Sequence, residues 1–154
     1  MREIPLSQEK VALVDDEDFE LVREYKWHLK ASRRFLYAET STLGSVMLMH
    51  RYILDAPDIK HVDHINDDGL DNRRSNLRFC SAQQNLWNKR KQEGCSSQYK
   101  GVVWDRQANK WRTRIRKDDK LIHLGRFKFE EGAAAAYDRA AIELFGEFAR
   151  LNFP

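Results

Sequence analysis

A chain of 154 residues that is 42% hydrophobic and 11% aromatic can bury one core or two small ones. Its 33% charged residues, with only seven Gly and three Pro, exclude a low-complexity or disordered array. No apolar run approaches the roughly 18 residues of a membrane span, and the opening MREIPLSQEK lacks a hydrophobic signal core, so an intracellular protein is expected. The net charge of +3 hides an uneven spread: residues 1–95 carry 15 Lys and Arg against 16 Asp and Glu, residues 96–154 carry 12 against 8, and Tyr99 to Lys128 holds ten against three, a strip suited to a polyanion.

In chain order, KVALVD (10–15) reads as a short strand. DEDFELVREYKW after it reads as an amphipathic helix with Phe19, Val22 and Tyr25 at helical spacing. Trp27 to Thr40 and Val46 to Leu54 are rich in aromatic and β-branched residues and predict strands, broken at Gly44. A polar, turn-rich stretch, HVDHINDDGLDNRRSNLRF (61–79), follows. Ser81-Ala-Gln-Gln84 has the form of a capping box, so a helix is expected from about Ala82 to a stop at Gly94, with Asn85 in its first turn.

QEGCSSQ (92–98) is small and polar, a linker by composition, and divides the chain into residues 1–95 and 96–154. Cys80 and Cys95 form no Cys-x-x-Cys pair and have no neighbouring His-x-x-x-His, so they read as free thiols rather than a zinc knuckle. Three strand-like runs, GVVWDRQ, KWRTRIRK and KLIHLGRF, are separated by Ala108-Asn109 and Asp118-Asp119. EEGAAAAYDRAAIELFG is then a strong helix that should bury Ala134, Tyr137, Ala141 and Leu144 against the sheet. In KWRTRIRK, alternation puts Trp111, Thr113 and Ile115 on one face and Arg112, Arg114 and Arg116 on the other. Three guanidinium groups about 7 Å apart suit a nucleic-acid groove better than a core. In the third run Ile122 and Leu124 point one way and Leu121 and His123 the other. Trp104 can pack in the core or touch a sugar, and alternation alone leaves both open.

The chemistry concentrates in VDHINDDGLDNRRSNLRFCSAQQN. Asp63 and Asn85 offer hard oxygen donors, and His64 offers a base whose ordinary pKa lies near neutrality. Neighbours in a regular strand point to opposite faces, so Asp63 and His64 can serve one centre only where the strand ends; the Asn66-Asp67-Asp68-Gly69 turn marks that end. A helix-loop-helix calcium site is excluded by count: with Gly69 as the turn glycine, His64 falls at the first ligand position and Ser75 where a bidentate Glu is needed. No Gly-x-Ser-x-Gly elbow supports acyl-transfer hydrolysis. A lone Asp-His pair is common in turns, but an Asn thirteen residues on, another twenty-two on and a capped helix carrying the last are together far more specific.

From about Met49 to Arg90 the chain resembles the HNH endonucleases of the phage and intron-encoded homing type, with MHR, VDHIN, DNRRSNLR and SAQQN in order. That resemblance implies a two-stranded ribbon from about Val62 to Phe79 and a helix around one divalent ion, Mg²⁺ or Mn²⁺. It implies Asp63 and Asn85 as metal ligands, His64 as general base and Asn76 as the residue tying the ribbon loop. His50, in MHRYIL, is expected to pack or touch phosphate; His28 and His61 have no role.

From about Ser97 to Pro154, SQYKGVVWDRQANKWRTRIR, HLGRF and the terminal LNFP are similar to the Apetala-two or ethylene-response-factor DNA-binding domain. This implies a three-stranded antiparallel sheet in the major groove with one helix behind it, and Lys100, Arg112, Arg114, Arg116 and His123 at the DNA. Val103, Arg114 and His123 stand where plant relatives usually place Arg, Glu and Trp, so base preference does not transfer. The combined expectation is an α+β protein, a ββα-metal HNH nuclease module followed by a three-stranded antiparallel sheet packed on one helix. It would cut double-stranded DNA as a homing endonuclease in the cytoplasm of a bacterial or phage-infected cell, with no membrane or protein partner implied. The other reading is a DNA-binding regulator with an idle nuclease fold, against which intact Asp63, His64 and Asn85 argue.

Overall fold

In the computed structural model, which describes residues 1–32, 35–42, 44–89, 91 and 94–154, the chain forms two compact units, Met1–Asn85 and Leu86–Pro154. The expected linker lies later, at 92–98, where Gln92 and Glu93 fall outside the described residues.

In the first unit β1 (Arg2–Pro5) pairs antiparallel with β2 (Val11–Val14). β1 carries no alternation long enough to be read from sequence, and its partner creates it. α1 (Asp16–Val22) has three acids in its first turn, which favours the positive end of the helix dipole, and it stops short of Tyr25. Past its end the Val22 carbonyl accepts the Trp27 indole N–H at 2.8 Å, and Tyr25 packs edge-on against Trp27 and Tyr52.

The run from Trp27 to Thr40 is not one strand but a hairpin of β3 (His28–Ala31) and β4 (Leu36–Thr42), turned at Ser32 and Phe35; Arg33 and Arg34 lie outside the described residues. β5 (Ser45–Leu48) extends this sheet antiparallel to β4. The strand expected over Val46–Leu54 ends at Leu48, and Met49–Ile53 is a helix, α2. Met49, His50 and Ile53 are buried together, which is helical rather than alternating spacing, and Arg51 spreads its guanidinium over the carbonyls of Ala56, Pro57 and Lys60. These elements enclose a core of Val14, Val22, Trp27, Ala38, Met49 and Leu77 among others.

β6 (His61–His64) and β7 (Leu77–Cys80) form the expected two-stranded ribbon, with Asp63 opposite Arg78 and His64 opposite Leu77. Its loop is anchored on both sides. Leu13 donates its N–H to the Leu70 carbonyl and accepts from the Asn72 N–H, each at 2.8 Å, while Arg74 clasps the Asp18 carboxylate and the Ile53 carbonyl. α3 (Ala82–Asn88) opens with a reciprocal capping box: Ser81 N–H donates to Gln84 Oε1 at 2.8 Å, and Gln84 N–H to Ser81 Oγ at 3.1 Å. It ends at Asn88 rather than Gly94, with Lys89 N–H turning back to the Leu86 carbonyl and Asn88 buried. Arg90, Gln92 and Glu93 of the longer helix expected there lie outside the described residues.

In the second unit β8 (Val102–Asp105), β9 (Lys110–Lys117) and β10 (Lys120–Phe127) form an antiparallel sheet in the order β10-β9-β8. The turns fall where Asn109, Asp118 and Asp119 adopt positive φ, a conformation Asn and Asp tolerate. α4 (Glu130–Phe145) covers one face, burying Ala134, Tyr137 and Ala141 as expected, while Leu144 is only half-buried and Phe145 takes the buried place. Trp87 stacks on Phe145 with centroids 4.4 Å apart. Gly101 has φ +77°, and a Cβ there would stand 2.1 Å from the Tyr137 ring. The terminal LNFP is tied down: Asn152 accepts the Lys100 N–H, and the Asp138 carboxylate accepts the N–H groups of Asn152 and Phe153.

Candidate functional site

At the end of β6 the chain turns, and Asp63 and His64 are both buried, at 5% and 6% exposure. Asp63 Oδ2 accepts from its cross-strand partner Arg78 through Nε at 3.0 Å and the terminal Nη2 at 2.8 Å. His64 Nε2 lies 3.4 Å from Asn72 Oδ1, and the Asn72 amide is itself held by donation to the Leu70 carbonyl at 3.1 Å. An amide oxygen only accepts, so this contact favours the proton on Nε2. Burial holds the His64 imidazole below its ordinary range, although Asn72 and the carboxylates of Asp63, Asp68 and Asp71 pull the other way. Neutral imidazole is the form a general base requires.

Asn76 closes the loop between the strands. Its Oδ1 accepts the Asn66 N–H at 2.9 Å, its Nδ2 donates to the Asp71 carbonyl at 2.8 Å, and its backbone carbonyl accepts the Ile65 N–H. Asn85 is half-buried in the first turn of α3, its backbone N–H donating to the Ser81 carbonyl at 3.0 Å. Burial, reinforced by the Asp63 charge, raises the pKa of the Cys80 thiol just before this helix. Among the described residues no three His, Cys, Asp or Glu side chains gather as a metal cage. An Asp carboxylate with an Asn amide still fits a hard divalent ion, because Mg²⁺ keeps most of its waters and takes few protein oxygens.

Sequence spacing missed four neighbours of this centre. Asn72 and Arg78 stand inside the quoted motif, but their partners follow only from the ribbon's register. His50, on α2, meets His64 edge to face with centroids 4.8 Å apart, and Tyr37, on β4, lies 5.5 Å from His50 and 5.8 Å from His64. His50 packs, as one of its two expected roles required; it is 6% exposed, its Nδ1 has no hydrogen-bond partner, and burial lowers its pKa to about 3.

On the sheet of the second unit, the uncovered face carries Arg114 and Arg116, both exposed, and Arg112, half-buried beside Asp105. Register adds His123 opposite Arg114 and Arg126 opposite Arg112, and Arg126 Nε donates to Asp105 at 2.9 Å. Arg126 is a fourth guanidinium that single-strand alternation could not place. At His123 a bulge begins, and His123 Nδ1 accepts the Gly125 N–H at 3.1 Å. Leu121 falls with His123 on the exposed side, but Ile122 is also 38% exposed, so the covered face thins out at the end of β10. Trp104 takes the face of its register partner Trp111, with centroids 5.0 Å apart, which settles it on the helix side. Lys100 donates from its ammonium to the Trp87 carbonyl.

A family profile described as HNH endonuclease matches residues 55–86, and one described as AP2 domain matches residues 97–147. Over 147 residues the chain is 35% identical to an uncharacterised HNH endonuclease of Acanthamoeba polyphaga mimivirus, an alignment spanning 92% of this chain and 74% of that protein. It is 27% identical over 130 residues to Protein 3.8 of Escherichia phage T7, spanning 84% of this chain and 98% of that one. APETALA2-like protein 2 of Oryza sativa subsp. indica is 45% identical over 58 residues, 38% of this chain and only 13% of that protein. A ββα ribbon with an Asp-His pair at its turn is thus joined to a sheet-on-helix DNA-binding domain, and the chain belongs to the HNH endonucleases. Its partner is double-stranded DNA, and among the described residues no helix is long and apolar enough to cross a membrane.

Proposed function

We propose that this protein is a homing-type endonuclease that hydrolyses phosphodiester bonds in double-stranded DNA with one divalent ion, Mg²⁺ or Mn²⁺. The observation that carries the reading is the break of β6 at His64, which leaves two consecutive side chains, a carboxylate and a neutral imidazole, buried at one turn. Asp63 and Asn85 would hold the ion, which when bound neutralises phosphate charge and stabilises the leaving 3′ oxygen. His64 takes the proton of the attacking water, its imidazole being held at Nε2 by Asn72. Asn76 keeps the loop closed so that this pair does not separate. Arg112, Arg114, Arg116 and His123 on the AP2 sheet grip the duplex, and Arg126, braced by Asp105, joins them.

The reading is tested by incubating the full chain with supercoiled plasmid and Mg²⁺, then repeating with EDTA. Nicked or linear product carrying 5′ phosphate and ligatable 3′ hydroxyl ends, abolished by EDTA and restored by Mg²⁺ or Mn²⁺, is expected. Cleavage at full rate in EDTA would overturn the metal requirement, and 3′ phosphate ends would overturn the 3′ oxygen as leaving group.

A further inference from the structure

The nuclease centre does not end at the ribbon. His50 and Tyr37 lie outside residues 55–86, the stretch matched by the HNH family, yet their rings close around His64 from two further elements, α2 and β4. An imidazole on a strand end turns about two side-chain torsions, and the Asn72 contact at 3.4 Å restrains one edge of the ring. The edge-to-face packing of His50 at 78° and the tilted Tyr37 ring restrain its faces. Tyr37 cannot retreat: the ribbon loop presses on it at Gly69, where a Cβ would stand 2.6 Å from the Tyr37 ring and 2.2 Å from the Leu36 carbonyl oxygen. The Nδ1 of His50 has no hydrogen-bond partner, so that nitrogen tethers nothing.

We propose that His50, backed by Tyr37, is a positioning residue that clamps the His64 imidazole in the rotamer and tautomer from which it acts. The clamp rests on the reading of His64 as general base. Small displacements of a reacting group cost up to about a hundredfold in rate. His50→Ala in the full chain therefore lowers kcat by about 10- to 100-fold with KM for DNA nearly unchanged, because the AP2 sheet is untouched. His50→Phe, which keeps a ring, recovers most of the lost turnover, and Tyr37→Ala loses kcat in the same sense.

A second readout needs neither metal nor DNA. In EDTA at fixed pH, the side-chain ¹⁵N shifts of His64 should show one tautomer in wild type and His50→Phe, and averaged shifts in His50→Ala, with circular dichroism confirming that each variant is folded. Wild-type kcat in folded His50→Ala, unaltered His64 shifts in it, or folded His50→Phe as slow as His50→Ala would each overturn the clamp. His64→Ala separates the two ideas. If it is inactive while His50→Ala is fully active, the clamp fails and the base stands; if His64→Ala cleaves at the wild-type rate, the base assignment itself falls.

Discussion

At His50, burial and chemistry oppose each other. Burial first, then the nearby His64 and Arg51, brings its pKa from the ordinary 6.5 to about 3, so the folded protein holds it neutral. The unfolded chain binds a proton there below pH 6.5 and the folded one does not, so this contribution to stability is complete above 6.5 and is lost as pH falls toward 3. Thermal melts should therefore show Tm falling between pH 7.5 and pH 4.5, and His50→Phe should flatten that fall; an equally steep fall in the variant would contradict the assignment. Arg78 and Asp63 make a second residue-scale case, a cross-strand ion pair with side chains only 12% and 6% exposed. Removing one partner of a buried pair costs about 3–5 kcal/mol because the other charge is left alone. Arg78→Met should lower Tm strongly in EDTA, and Mn²⁺ should recover part of the loss by supplying a cation to Asp63; no recovery would count against Asp63 as a ligand. The spacing of Asp63, His64, Asn76 and Asn85 is readable along the chain. Asn72, Arg78, His50 and Tyr37 are not, because each meets its partner through register or across elements that no local pattern encodes.

Elements whose signals are local match their expectations. The capping box at Ser81, the turns at Asn109 and Asp118-Asp119, and the Ala-rich helix all depend on residues within a few positions of each other. Elements that depend on distant partners do not: β1 exists only against β2, and α2 forms because Met49, His50 and Ile53 share one buried face. Ser81→Ala should cost about 1 kcal/mol, the usual worth of an N-cap, read from denaturant midpoints, and should disturb Asn85 in the turn that follows. On β9, neutralising a phosphate-contacting Arg114 or Arg116 should reduce the salt slope of DNA binding by about one unit. A base-reading Arg should instead lose about 1–3 kcal/mol at the preferred sequence alone. Gel-shift titrations over a range of salt distinguish these, and identical curves for wild type and all three Arg→Ala variants would leave the basic face without a role.

For the whole molecule, the compact units part between Asn85 and Leu86, inside α3. Trp87 belongs to the second unit's core, stacked on Phe145, and its carbonyl accepts from Lys100. A fragment of residues 86–154 should accordingly melt higher than one of residues 96–154, which lacks that ring, and both should bind duplex DNA without cutting it. Equal melting temperatures would show that Trp87 adds nothing to this core. The central claim, that one buried His at the ribbon turn drives metal-dependent cleavage, is met most directly by single-turnover cleavage of supercoiled plasmid by wild type and by His64→Ala, in Mg²⁺ and in EDTA. The expected result is a rate at least about 10²-fold lower for His64→Ala in Mg²⁺, with DNA affinity retained, and no cleavage by either protein in EDTA. Cleavage by His64→Ala at the wild-type rate would contradict it.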